Sequence, residues 1–97
     1  MSEDPPPEYA STAESRERAR ALARAREQFA PIWTIYDHPL DQPEHFVVRV
    51  WWGILPDPAG YLFATLDAAR EWIEQEGGSV KLMRNAGDDR VIVESWI

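Results

Sequence analysis

Both histidines of the chain, His38 and His45, lie in the stretch D-H-P-L-D-Q-P-E-H, together with the carboxylates Asp37, Asp41 and Glu44. These are the side chains whose types allow chemistry near neutral pH. Histidine titrates there without perturbation and can serve as a general base. Two imidazoles and a carboxylate, His38, His45 and Asp37, would also suit a divalent transition metal. Their spacing follows no established ligand rule, and the same residues make good turn chemistry, since Asp37 can cap the backbone while Pro39 fixes φ. Elsewhere there is no glycine-rich phosphate cradle, nucleophile elbow or zinc-helix motif. With no cysteine the chain has neither a disulfide nor a thiolate metal site. No cofactor is expected, and enzymatic activity is the weaker reading.

The loop must be positioned by strands. Alternation predicts a strand over Ile32 to Tyr36 before it and another over His45 to Trp52 after it. Val80 to Arg84 and Arg90 to Trp96 read as a hairpin about N-A-G-D-D. Pro56, Pro58 and Gly60 mark a loop, and Tyr61 to Ala64 can add a short strand. Thr65 is placed to cap a helix over residues 66–76, closed by Gly77 and Gly78. Before the sheet, Ser11 and Glu14 form a capping-box pattern that opens an Ala- and Arg-rich helix running to Phe29. Pro31 stops it. Arg16, Arg20 and Arg24 stack along one side of this helix, with Ala21, Leu22, Ala25 and Phe29 on the other.

The expected fold is therefore α+β. It has a four- to five-stranded antiparallel sheet in the order α-β-β-(β)-α-β-β, with the 66–76 helix on one sheet face. Residues 1–10 read as a disordered acidic, proline-rich tail, 11–30 as the Arg/Ala-rich helix and 31–97 as the compact domain. The predicted core is Ile35, Phe46, Val48, Val50, Trp52, Leu66, Ala69, Trp72, Ile73, Leu82, Val91 and Val93.

The same alternation assigns Thr34, Tyr36, Val47, Arg49, Trp51, Lys81, Met83, Ile92, Glu94 and Trp96 to the opposite sheet face. Aromatic rings around an arginine are the composition of a protein-binding hot spot. The candidate partner-binding residues are Tyr36, Arg49, Trp51, Glu94 and Trp96, with His38, Asp41 and Glu44 from the adjoining loop. Ordinary cross-strand packing, with Arg49 paired to Glu94, is the plainer explanation. A patch of this kind calls for a cover, either the N-terminal helix through Leu22 and Phe29 or a second subunit. Within that helix Glu14–Arg18, Glu17–Arg20 and Arg24–Glu27 stand at ion-pairing separations.

The net charge is −7, and the only net-positive segment is the helix, where residues 11–29 hold five arginines against three glutamates. An acidic body repels a nucleic-acid backbone, so nucleic acid is not the expected partner. The longest apolar run, Phe46 to Leu55, is interrupted by Arg49 and too short to span a bilayer, and the acidic N-terminus is unlike a secretory leader. A cytoplasmic protein without membrane contact is expected. The functional reading is a small acidic, non-enzymatic interaction module or accessory factor that binds a basic protein surface or itself. The alternative is a metal-dependent or acid–base enzyme centred on Asp37, His38 and His45.

The motifs W-T-I-Y-D-H-P-x-D-x-P-x-x-F-V-x-R at Trp33 to Arg49 and D-D-R-V-I-V-E-S-W-I at Asp88 to Ile97 resemble a set of small bacterial proteins. That set carries a T-I-Y-D-H-P opening and a D-D-P-V-I-V-E-x-W ending, and some of its members sit among phage or mobile-element genes. Arg90 stands where those proteins often have proline. That set has no assigned activity, so the resemblance implies one compact domain and transfers no catalytic residue; the sharper functional reading is an accessory factor of phage type that presents acidic side chains to a basic host protein.

Overall fold

A computed structural model describes residues 13–97. The expected tail and Ser11 of the capping box lie outside the described residues. The elements are α1 (Ala13–Gln28), β1 (Pro31–Asp37), β2 (Phe46–Trp52), β3 (Leu55–Phe63), α2 (Leu66–Glu76), β4 (Lys81–Met83) and β5 (Ile92–Trp96). The strands form one antiparallel, open sheet in the spatial order β3-β2-β1-β5-β4. The fold is α+β with the element order expected. Among the described residues no helix is long and apolar enough to cross a membrane.

Local chemistry explains α2. Thr65 Oγ1 accepts from the Ala68 amide at 3.1 Å and satisfies one of the free donors of the first turn. At the other end Gly77 adopts φ 115°, a left-handed conformation that a Cβ would strain, and Gly78 N–H returns to the Ile73 carbonyl at 2.9 Å. Between these caps Ala69 and Ile73 are fully buried against Trp33, Ile35, Val48, Val50 and Trp96. Phe46, Trp52, Phe63, Leu66, Trp72 and Val93 pack around them. Trp72 joins an aromatic cluster, with its ring 4.5 Å from Tyr61 and 5.6 Å from Phe63.

Two expectations are corrected. The Pro56–Gly60 segment is strand rather than loop, because β3 is an edge strand whose outer side has no hydrogen-bonding neighbour, and proline's missing N–H is tolerated there. A register shift against β2 between Arg49 and Trp51 absorbs the irregularity.

The second correction concerns which side of the sheet the end of the chain faces. Tyr36 is opposite Ile92, yet its neighbour Ile35 is opposite Glu94, so Val93 is bulged out of register. That one extra residue reverses the alternation for everything after it. Glu94 and Trp96 turn to the α2 side, 4% and 7% exposed. Met83 and Lys81, their partners on β4, follow them. Leu82, paired with Ser95, goes to the far side and is 41% exposed, so it is not core. Val91, also expected in the core, lines a depression on the far side. Trp33, omitted from the predicted core, is buried in its centre.

Helix α1 docks at the β2–β3 turn. Ala25 is its only buried residue, and Phe29 lies over Gly53, where a Cβ would come within 3.0 Å of the ring. Arg26 Nη2 donates to Asp57 Oδ2 at 2.6 Å, and its guanidinium sits 5.8 Å from the Trp52 ring centroid. Trp52 Nε1 donates to the same carboxylate oxygen at 3.1 Å, and the Ala59 amide donates to Oδ1 at 3.0 Å. Burial by itself would raise the Asp57 carboxyl. The bonds from Arg26, Ala59 and Trp52 outweigh it and hold the group below its ordinary value. A cleft of about 440 Å³ remains between α1 and β3, lined by Ala19, Leu22, Leu55 and Pro58 among others. The intrahelical ion pairs expected in α1 do not form among the described residues, where the ion pair made by an α1 arginine is Arg26–Asp57.

Candidate interaction face

The sheet face opposite α2 is built from the alternate residues of β1 and β2. Thr34 lies opposite Arg49, Ile32 opposite Trp51, and Tyr36 opposite Val47. Thr34 is 7% exposed and Val47 2% exposed, so the small residues form the floor and the large ones stand above it. Thr34 Oγ1 and Ser95 Oγ are 3.2 Å apart and tie β1 to β5 on this side.

Two depressions open on the face and meet at Tyr36 and Trp51. One, of about 680 Å³, also takes in Leu40, Asp41, Arg49 and Asp89. The other, of about 270 Å³, adds Ile32, Ile92 and Asp88. Arg49 Nη2 donates to Asp41 Oδ2 at 3.3 Å, across a partly exposed pair. The rim thus carries three carboxylates, Asp41, Asp88 and Asp89, against the single guanidinium of Arg49. Among the described residues no side chain of α1 lines either depression, so of the two covers expected for this face the helix of the same chain is not one.

The D-H-P loop closes beside the face. His38 N–H donates to the His45 carbonyl at 3.0 Å, Gln42 N–H to the Pro39 carbonyl at 2.9 Å, and His45 N–H to the Gln42 carbonyl at 3.2 Å. Asp37 N–H reaches across to the Val91 carbonyl, which pins the loop to the turn before β5. His38 adopts φ 48°, uncommon for a residue with a Cβ. Its Nδ1 contacts the Asp37 carboxylate, and its ring meets Phe46 edge-on at 4.8 Å between centroids. These contacts turn His38 toward the α2 side and leave Leu40 at the tip, 99% exposed, with Asp41 beside it. Glu44 is exposed and His45 half-buried. Among the described residues no three His, Cys, Asp or Glu side chains are arranged to hold a metal ion.

Of the residues expected to act together, Tyr36, Arg49, Trp51 and Asp41 do share this face. Glu94 and Trp96 do not; the bulge at Val93 places them under α2. There Arg70 donates through Nε to Glu94 Oε2 at 2.9 Å and through Nη2 to Oε1 at 2.6 Å, and Trp96 Nε1 donates to Oε2 at 2.8 Å. Burial pushes the Glu94 carboxyl up, but Arg70 and Trp96, with a smaller contribution from Lys81, hold it below its ordinary value. The expected Arg49–Glu94 pair is replaced by Arg49–Asp41 and Arg70–Glu94. Leu40, Asp88 and Asp89 were not among the predicted site residues. A leucine in a short segment between two prolines, and an Asp-Asp pair before the last strand, are the signals that mark them.

No protein-family model matches the chain, and no curated protein or solved structure matches it.

Proposed function

We propose that this protein is a small interaction module whose α2-distal sheet face receives a basic segment of a protein partner. The observation that carries the reading is the pairing of two open aromatic rings, Tyr36 and Trp51, with a rim of three carboxylates and one arginine. An arginine or lysine entering there would meet ring faces suited to cation–π contact and carboxylates suited to charge-assisted hydrogen bonds. Leu40, 99% exposed, adds an apolar contact at the edge. Nothing on this face favours a nucleic-acid backbone, which the same carboxylates would repel.

The test is affinity capture from host-cell extract with the wild-type protein and with Trp51→Ser, each at low and high salt. The wild type should retain a basic protein that is released as salt rises to about 0.5 M, where exposed charges are screened. Trp51→Ser should fail to retain it. A partner held equally by both proteins, or held independently of salt, would overturn the reading.

A further inference from the structure

We infer that the basic segment received by this face is helix α1 of a second copy of the same chain. The inference rests on the binding reading given above and names its partner. Arg16, Arg20 and Arg24 are exposed, while Ala25 on the opposite side is buried and Ala21 and Leu22 are half-buried against β3. Arg16 and Arg20 therefore point to solvent, and Arg24 lies at the edge of a hollow shared with Phe29, Trp52 and Ile54. Among the described residues none of the three has an ion-pair partner. The helix that carries the stripe is the net-positive segment of a chain whose net charge is −7.

The two surfaces match in length as well as in charge. At a rise of about 1.5 Å per residue, Arg16 to Arg24 spans about 12 Å. Three adjacent strands cover about 10 Å across a sheet, and β2, β1 and β5 carry Arg49, Trp51, Tyr36 and Ile92 over that width. Ala19 and Ala23 between the arginines are short enough to let the helix approach the rings. If each copy offers its α1 and receives the other's, two identical contacts close about a two-fold axis and no further copies are recruited.

Sedimentation velocity on the full chain tests the inference. The wild type should be a dimer at tens of micromolar and low ionic strength, and should dissociate as salt rises to about 0.5 M. Arg16→Ala with Arg20→Ala and Arg24→Ala changes only exposed side chains, so the fold should persist by circular dichroism while dimer affinity falls at least about tenfold. Trp51→Ser should have the same effect from the other side of the contact. An equimolar mixture of the triple-arginine variant and Trp51→Ser should regain one of the two contacts, giving a heterodimer weaker than the wild-type dimer. A wild type that stays monomeric under all these conditions overturns the inference, and so does a dimer that survives either variant. If the monomer still retains a basic host protein through Trp51, the binding reading stands and only its assignment to a second copy fails.

Discussion

The two helices are attached to the sheet by the same kind of group, and the two attachments differ in strength. In each, a helix arginine and a tryptophan Nε1 donate to one oxygen of a buried carboxylate on the sheet. Arg70, Glu94 and Trp96 do this for α2, and Arg26, Asp57 and Trp52 for α1. Around the first triad Ala69 and Ile73 are wholly buried and Arg70 binds through two nitrogens. Around the second, Ala25 is the one buried residue of the helix, Arg26 is 47% exposed and a cleft stays open beside it. A carboxylate buried with three donors is well satisfied in both places. What separates the helices is apolar contact, so for α2 the triad adds orientation to a docked helix, whereas for α1 it is the main attachment.

This contrast is broken most strongly at Ile73. Ile73→Ala removes a fully buried side chain under α2 and should cost about 3–4 kcal/mol, read from urea melts; no single change in α1 should approach that. Glu94→Ala comes next, at about 2–3 kcal/mol, because it strips the partner from Arg70 and leaves the Trp96 N–H unpaired in the core. Part of the full penalty is avoided, since the Arg70 side chain is 33% exposed and can reach water.

Acid sharpens the same point. Glu94 and Asp57 are both held below their ordinary values in the fold. Each therefore contributes stability above its unfolded value, and that contribution is lost as pH falls through the folded one. Urea midpoints should drop on the acid side of the ordinary carboxylate range, and Glu94→Gln should flatten part of that drop.

Asp57→Ala should cost less, about 1–2 kcal/mol, and should act locally. Amide exchange over residues 13–28 should quicken while that over 66–76 stays slow. Equal loss of protection in both helices would show that they dock as one unit. The smallest effect belongs to the face that carries no helix. Trp51→Ser should change stability by no more than about 1 kcal/mol while abolishing partner retention. A large loss of stability would mean that the ring is packing and not a contact.

Much of this was legible in the residue pattern. Thr65 and Gly77–Gly78 bracket α2 because capping chemistry is local. The alternation in β1 and β2 put Ile35, Val48 and Val50 inward and Tyr36, Arg49 and Trp51 outward. Period-2 patterns hold as long as register holds, and in β5 it does not. Nothing in V-I-V-E-S-W announces that Val93 is bulged, so Glu94 and Trp96 were assigned to the wrong face. The Pro56–Gly60 segment failed for a related reason, since proline excludes an interior strand but not an edge, and edge position is a property of the assembled sheet.

By itself, then, the sequence determined the elements other than the Pro56–Gly60 part of β3, the α+β class, the acidic balance and the arginine stripe, all of which follow from short-range sterics, periodicity and composition. Only the tertiary structure decided which carboxylate meets which arginine, that the loop turns His38 toward Phe46 and leaves Leu40 outside, and that one sheet face stays uncovered. Those outcomes depend on register and strand order, which are set by contacts between residues far apart in the chain, such as Arg26 with Asp57, 31 positions apart, and Thr34 with Ser95, 61 apart.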